Sequence, residues 1–171
     1  MINTLITDTL ISKLHHLLIQ QNKMLTTSES CTGGMISSAI TSKSGSSQWF
    51  DRGFVTYSNA AKKEQLSVKQ STLDKFGAVS EEVAKEMAEG CLRHSQSQYG
   101  LSVTGIAGPS GGTTEKPVGT VWFAWSYYDA AQKIQSKSSI QQLTGDRQDV
   151  RYQSCIFSIQ ELIQIIKAQG K

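Results

Sequence analysis

Apolar residues change their spacing several times along the chain, and each change predicts an element. Leu10, Ile11, Leu14, Leu17 and Leu18 recur at helical intervals, which predicts an amphipathic helix from about Thr4 to Gln21. Met24-Leu25-Thr26-Thr27 then reads as a short strand, after which Met35, Ile36, Ala39 and Ile40 restore the helical period. Ser42 to Ser47 is a polar loop, and Trp49-Phe50 resumes the core. Phe54-Val55-Thr56-Tyr57 has strand character and enters a helix capped by Ser58, with Lys62 one turn along. A weak helical segment near Val68 to Phe76 precedes a strong one from Ser80. In the latter, Glu81 and Glu82 suit the positive end of the dipole, and Val83, Ala84, Met87, Ala88, Cys91 and Leu92 form an apolar stripe. Gly77 fits a helix stop, and Gly90 falls inside the stripe, where it permits close packing.

Tyr99 to Ile106 is a strand of mostly β-forming residues that breaks into the glycine-rich loop Gly105 to Gly112. Thr120 to Tyr128 is the best strand of the chain. Asp129 to Gln132 turns into a further strand, Lys133 to Leu143, giving an antiparallel hairpin. Thr144-Gly145-Asp146-Arg147 opens a final helix whose stripe runs through Tyr152, Ile156, Ile159, Ile163 and Ile166. That spacing suits packing on the sheet or across a dimer seam, and a homodimer is the expectation. The order of elements implies a three-layer α/β/α fold with a mixed β-sheet, built as a single domain over residues 1–171 with no internal repeat.

Composition narrows the classes of function. A hydrophobic fraction of 38% is enough for a full core, yet no apolar run approaches the roughly 20 residues of a membrane span. The start, Met1 to Asp8, lacks the basic residues and unbroken apolar core of a signal peptide, so cytoplasmic residence is expected. Cys31, Cys91 and Cys155 are odd in number and far apart, which argues against a disulfide framework or clustered zinc site. Cys91, within its stripe, is expected in the core. The net charge of +3 comes from scattered lysines rather than a basic stripe, so nucleic acid is not an expected partner, whereas an anionic small molecule is welcome. His15 and His16 are adjacent, point to different faces of their helix and cannot grip a metal as an i, i+4 pair.

The densest chemistry lies in Thr26-Thr27-Ser28-Glu29-Ser30-Cys31-Thr32-Gly33-Gly34, where a strand runs into a helix N-terminus with Ser30 at the turn. Free backbone N–H groups meet there, and Gly33 and Gly34 have no Cβ to keep a ligand away, so the turn can hold a phosphate or an oxyanion. Its plainer alternative is that Ser28, Ser30 or Thr32 simply caps the helix. The loop Gly105 to Gly112 has no Gly-Lys-Ser/Thr ending and opens no helix, so it is neither a P-loop nor a dinucleotide fingerprint.

Four blocks stand out together: Glu29 to Gly34, Val55 to Lys62, Val103 to Gly112 with Lys116 to Thr120, and Gly145-Asp-Arg147 with Val150-Arg151. In this order they resemble the nicotinamide-nucleotide amidase family, which shares its domain with the C-terminal part of the competence/damage-inducible CinA proteins. The resemblance spans nearly the whole chain and is to the stand-alone form, without the molybdopterin-binding-like domain of larger CinA proteins. It implies hydrolysis of the carboxamide of nicotinamide mononucleotide to nicotinate mononucleotide and ammonia, with no metal or organic cofactor. It further implies Ser30 as nucleophile, with Tyr57 and Lys62 activating it. A lysine can serve as base where burial lowers its pKa, and Tyr57 can relay the proton between them. His15, His16 and His94 all lie outside the blocks. Thr32, Gly33, Gly34, Thr104, Gly105 and Gly108 are implied substrate-binding positions, and Arg147 and Arg151 are phosphate partners by their forked guanidinium groups, against the alternative of solvated helix ends. Cys31, an intrinsically better nucleophile, competes with Ser30 and is placed second. A member that keeps the fold without the activity, as a ligand-binding or interaction module, is the alternative function.

Overall fold

The computed structural model describes residues 2–169, with side chains from residue 7 onward. Its helices are α1 (Ile2–Gln20), α2 (Met35–Thr41), α3 (Asn59–Leu66), α4 (Gln70–Phe76), α5 (Glu81–Arg93) and α6 (Arg147–Gln169). The strands are β1 (Leu25–Glu29), β2 (Phe50–Val55), β3 (Tyr99–Gly105), β4 (Thr120–Tyr128) and β5 (Ile134–Gln142), in the sheet order β2-β1-β3-β4-β5. β1 pairs parallel with β2 and β3, whereas β3–β4 and the β4–β5 hairpin are antiparallel. The mixed sheet lies between α1, α2 and α6 on one face and α5 on the other, with α3 and α4 packed against α5. This is the expected three-layer α/β/α fold.

Both faces of β1 are covered, so all five residues of this polar strand, Leu-Thr-Thr-Ser-Glu, are buried. Each hydroxyl therefore needs a partner inside the protein. Thr27 Oγ1 and Ser37 Oγ bond at 2.9 Å on the α2 side, while Ser28 Oγ donates to Met87 O at 3.2 Å on the α5 side. Ser102 Oγ donates likewise to Ala84 O at 2.6 Å. Small side chains bring α5 close to the sheet, and Gly90 lets α3 close on α5: a Cβ there would collide with Leu66 O. On the opposite face Val121, Phe123, Trp125 and Tyr127 alternate into the main core with the apolar faces of α1 and α6.

One strand boundary departs clearly from the sequence reading. The second strand is Phe50–Val55 rather than Phe54–Tyr57: Tyr57 leaves the sheet after Thr56 N–H donates to Glu29 O, because Ser58 Oγ then caps α3. The stripe of α6 serves its own chain. Ile159, Ile163 and Ile166 are buried against α1 and the sheet, so the dimer-seam alternative loses this face. His15 is half-buried with its ring edge-on to Trp49, and His16 is exposed, as expected of boundary and surface residues.

Candidate active site

From β1 the chain crosses to β2 on one side and later returns to β3 on the other. Such a switch opens a crevice at the carboxyl ends of the strands, and Ser30 lies there, its N–H donating to Val103 O at 3.0 Å. Residues 31–34 turn into α2, with Gly33 and Gly34 at φ 59° and 94°, conformations that glycine adopts without a Cβ penalty. The donors at the start of α2 are already taken. Glu29 accepts from Gly34 N–H at 2.9 Å, Ile36 N–H at 3.1 Å, Ser37 N–H at 2.8 Å and Ser37 Oγ–H at 2.7 Å. Gly33 N–H donates to Ser30 O at 3.1 Å. The Gly33 and Gly34 amides therefore cannot form an oxyanion hole or receive a phosphate, because an internal carboxylate and carbonyl hold them. Among the described residues the Cys31 and Thr32 amides make no hydrogen bond to another backbone group, and Cys31 faces the cavity.

Lys62 rises from α3 beneath the same turn. Only 1% of it is exposed, and its Nζ donates to Thr56 O at 2.9 Å and to Ser30 Oγ at 3.0 Å. No carboxylate lies within ion-pair distance of it among the described residues. Burial lowers the Lys62 pKa from 10.5 to about 8, opposed in part by the Cys31 thiol. A serine hydroxyl 3.0 Å from an amine that loses its proton near pH 8 has the geometry that a nucleophile and its base require. Cys31 lacks these conditions: burial pushes its thiol up to about 11.

Ser30 and Lys62 form the floor of a cavity of about 360 Å³. Tyr57 stands at its mouth, 62% exposed, and its hydroxyl accepts from Arg147 Nη2 at 3.2 Å. Arg147 Nη1 donates to Gly108 O at 2.8 Å, so the guanidinium bridges Tyr57 and the glycine-rich loop. The family model for the CinA C-terminal domain matches residues 7–166. The chain belongs to this family. It is 49% identical over 140 residues to the nicotinamide-nucleotide amidohydrolase PncC of Escherichia coli (strain K12), covering 82% of each chain. It is 44% identical to the protein of the same name from Pseudomonas putida, over 92% of this chain and 95% of that one. The structure of the CinA superfamily protein from Klebsiella pneumoniae 700603 superposes with a TM-score of 0.88 at 34% identity, covering 95% of this chain and 98% of that one.

Within this CinA domain, Ser30, Tyr57, Lys62, Thr104, Gly105, Gly108 and Arg147 come together around one cavity. Lys62 touches Ser30 directly, so no relay through Tyr57 is needed between them. Thr32, Gly33, Gly34 and Arg151 stand behind the turn instead. Arg151 Nη2 donates to Thr32 O at 2.8 Å and Nη1 to Gln148 Oε1 at 3.2 Å, which makes Arg151 a brace of the Ser30 turn rather than a cavity-facing phosphate partner. Ser110 and Gly111 line the cavity as part of the glycine-rich loop, and Asn59, Ala78 and Val79 line it without having been singled out. Asn59, Ser110 and Gly111 sit inside the family blocks, whereas Ala78 and Val79 carry no local signal. Among the described residues, no group of three or more His, Cys, Asp or Glu side chains could hold a metal ion.

Proposed function

We propose that the chain is an amidohydrolase that converts nicotinamide mononucleotide and water to nicotinate mononucleotide and ammonia. The contact between buried Lys62 and Ser30 carries this reading, and the names of the PncC relatives support the substrate. Ser30 Oγ attacks the carboxamide carbon as neutral Lys62 takes its proton. The tetrahedral oxyanion is held by the Cys31 amide, the one next to the nucleophile. Lys62 returns the proton to the amine, the C–N bond breaks, and ammonia leaves an ester on Ser30. Water, deprotonated by Lys62, then cleaves that ester and releases the carboxylate. Arg147 and the loop over Gly108 to Gly111 face the phosphate, and Tyr57 flanks the ring at the mouth.

The catalytic unit is the single domain of residues 1–171, needs no cofactor, and works in the cytoplasm as a homodimer. No helix among the described residues is long and apolar enough to cross a membrane. The sheet edges, with exposed Val55 on β2 and Ile140 on β5, are the surfaces proposed for self-association. The test of the chemistry is its pH dependence. Since the base must be unprotonated, kcat/KM for nicotinamide mononucleotide is expected to rise about tenfold per pH unit below about pH 8 and level off above it. A flat profile from pH 6 to pH 9 contradicts Lys62 as base.

A further inference from the structure

Lys116 is a charged side chain beside the cavity that this chemistry leaves unused. It lies between β3 and β4, where Thr113 N–H donates to Lys116 O at 2.9 Å and Lys116 N–H to Thr113 Oγ1 at 3.0 Å. The loop is folded tightly on itself: a Cβ at Gly112 would stand 2.6 Å from Val118 N, and one at Gly108 2.6 Å from Val118 Cγ1. From this loop, Lys116 Nζ crosses to the α4–α5 connection and donates to Phe76 O at 2.9 Å and Val79 O at 2.7 Å. Phe76 ends α4, so its carbonyl has no partner further along the helix and a cation suits it. Between the two carbonyls, Ala78 O accepts from Thr104 Oγ1 at 2.8 Å. The 77–79 turn is thus held to the sheet by Thr104 and to the loop by Lys116. Ala78 and Val79 line one wall of the cavity, and Gly108, Ser110 and Gly111 line another.

We propose that Lys116 is a positioning residue that fixes these two walls against each other and so sets the grip on substrate without entering the chemical step. The substrate named in the test rests on the amidohydrolase reading, whereas the latch itself does not. Lys116 bonds neither Ser30 nor Lys62, which are held by the β1–α2 joint and by α3. Without the ammonium, substrate binding has to order the walls. Two hydrogen bonds of ordinary net strength correspond to about a tenfold loss of affinity.

Lys116→Met keeps the stem and removes the donors, Lys116→Gln is too short to reach both carbonyls, and Lys116→Arg keeps charge and donors. For the first two, KM for nicotinamide mononucleotide is expected to rise about tenfold with kcat within about twofold of wild type. Amide hydrogen exchange in the unliganded protein is expected to quicken in both 77–80 and 106–112. Lys116→Arg is expected to restore both readings. Because two variants carry the same expectation, one folded protein, checked by its thermal transition, suffices. A fall in kcat at unchanged KM, or faster exchange confined to 113–117, overturns the proposal. Exchange is read without substrate, so a wild-type protein inert toward the mononucleotide would sink the amidase reading while the latch is still decided.

Discussion

A lysine sealed from water with no carboxylate beside it opposes folding, and Lys62 is held in this way at the centre of the site. Its pKa in the folded protein, about 8, lies below the ordinary value of 10.5. The unfolded chain therefore binds the proton more tightly. The cost to stability is full below about pH 8, shrinks as pH rises, and is gone above about pH 10.5, so this group makes the protein more stable with rising pH across that window. A displacement of this size corresponds to about 3 kcal/mol. Lys62→Met is accordingly expected to raise the thermal midpoint at pH 7 by about 6 °C or more while abolishing hydrolysis. A lowered midpoint would mean that the bonds to Thr56 O and Ser30 Oγ outweigh the buried charge. Local sequence does not separate Lys62 from Lys63, whose Nζ reaches Gln70 at the surface. Burial is a property of the assembled layers, and only the family pattern distinguished the two lysines.

At the scale of elements, the joint between β1 and α2 depends on Glu29. Its carboxylate takes three backbone N–H donors and one hydroxyl, and thereby sets where Ser30 stands. Glu29→Gln places an N–H₂ group against donors and is expected to cost about 3 kcal/mol, read as a lowered urea midpoint, with at least tenfold lower kcat/KM. Unchanged stability would show that the cap is dispensable. Helices and strands with a clear period, such as the α5 stripe and the β4–β5 hairpin, were legible in sequence because their side chains face one well-defined layer. β2 was less so. Asp51-Arg52-Gly53 breaks any alternation, since the strand lies at the sheet edge and Gly53 must leave room for Ser37, with which a Cβ would collide. The strand-to-helix turn was also legible, but its donors were not: a carboxylate within the motif itself occupies the helix N-terminus that the glycines suggested for a ligand.

On the scale of the whole molecule, the sheet order creates the crevice and the layers close it. β1 and β3 lie side by side while their following connections leave on opposite sides, which brings Ser30, Thr104 and the glycine-rich loop to one place from distant parts of the chain. The family motifs marked that gathering; the Ala78-Val79 wall was invisible because it is defined only by where α4 stops and what Lys116 reaches. α6 spends its apolar face internally, so the proposed self-association is assigned to the sheet edges. Sedimentation across a wide concentration range is expected to give a dimer that Ile140→Glu or Val55→Glu dissociates. A monomer at every concentration removes the dimer.

The most direct measurement is the turnover of nicotinamide mononucleotide by purified protein in the presence of a chelator, following ammonia and nicotinate mononucleotide together. Equimolar products are expected from wild type and from Cys31→Ala, with losses of about a thousandfold or more in Ser30→Ala and Lys62→Met. No product from folded wild-type protein, or undiminished product from Ser30→Ala, would contradict the Ser30–Lys62 site.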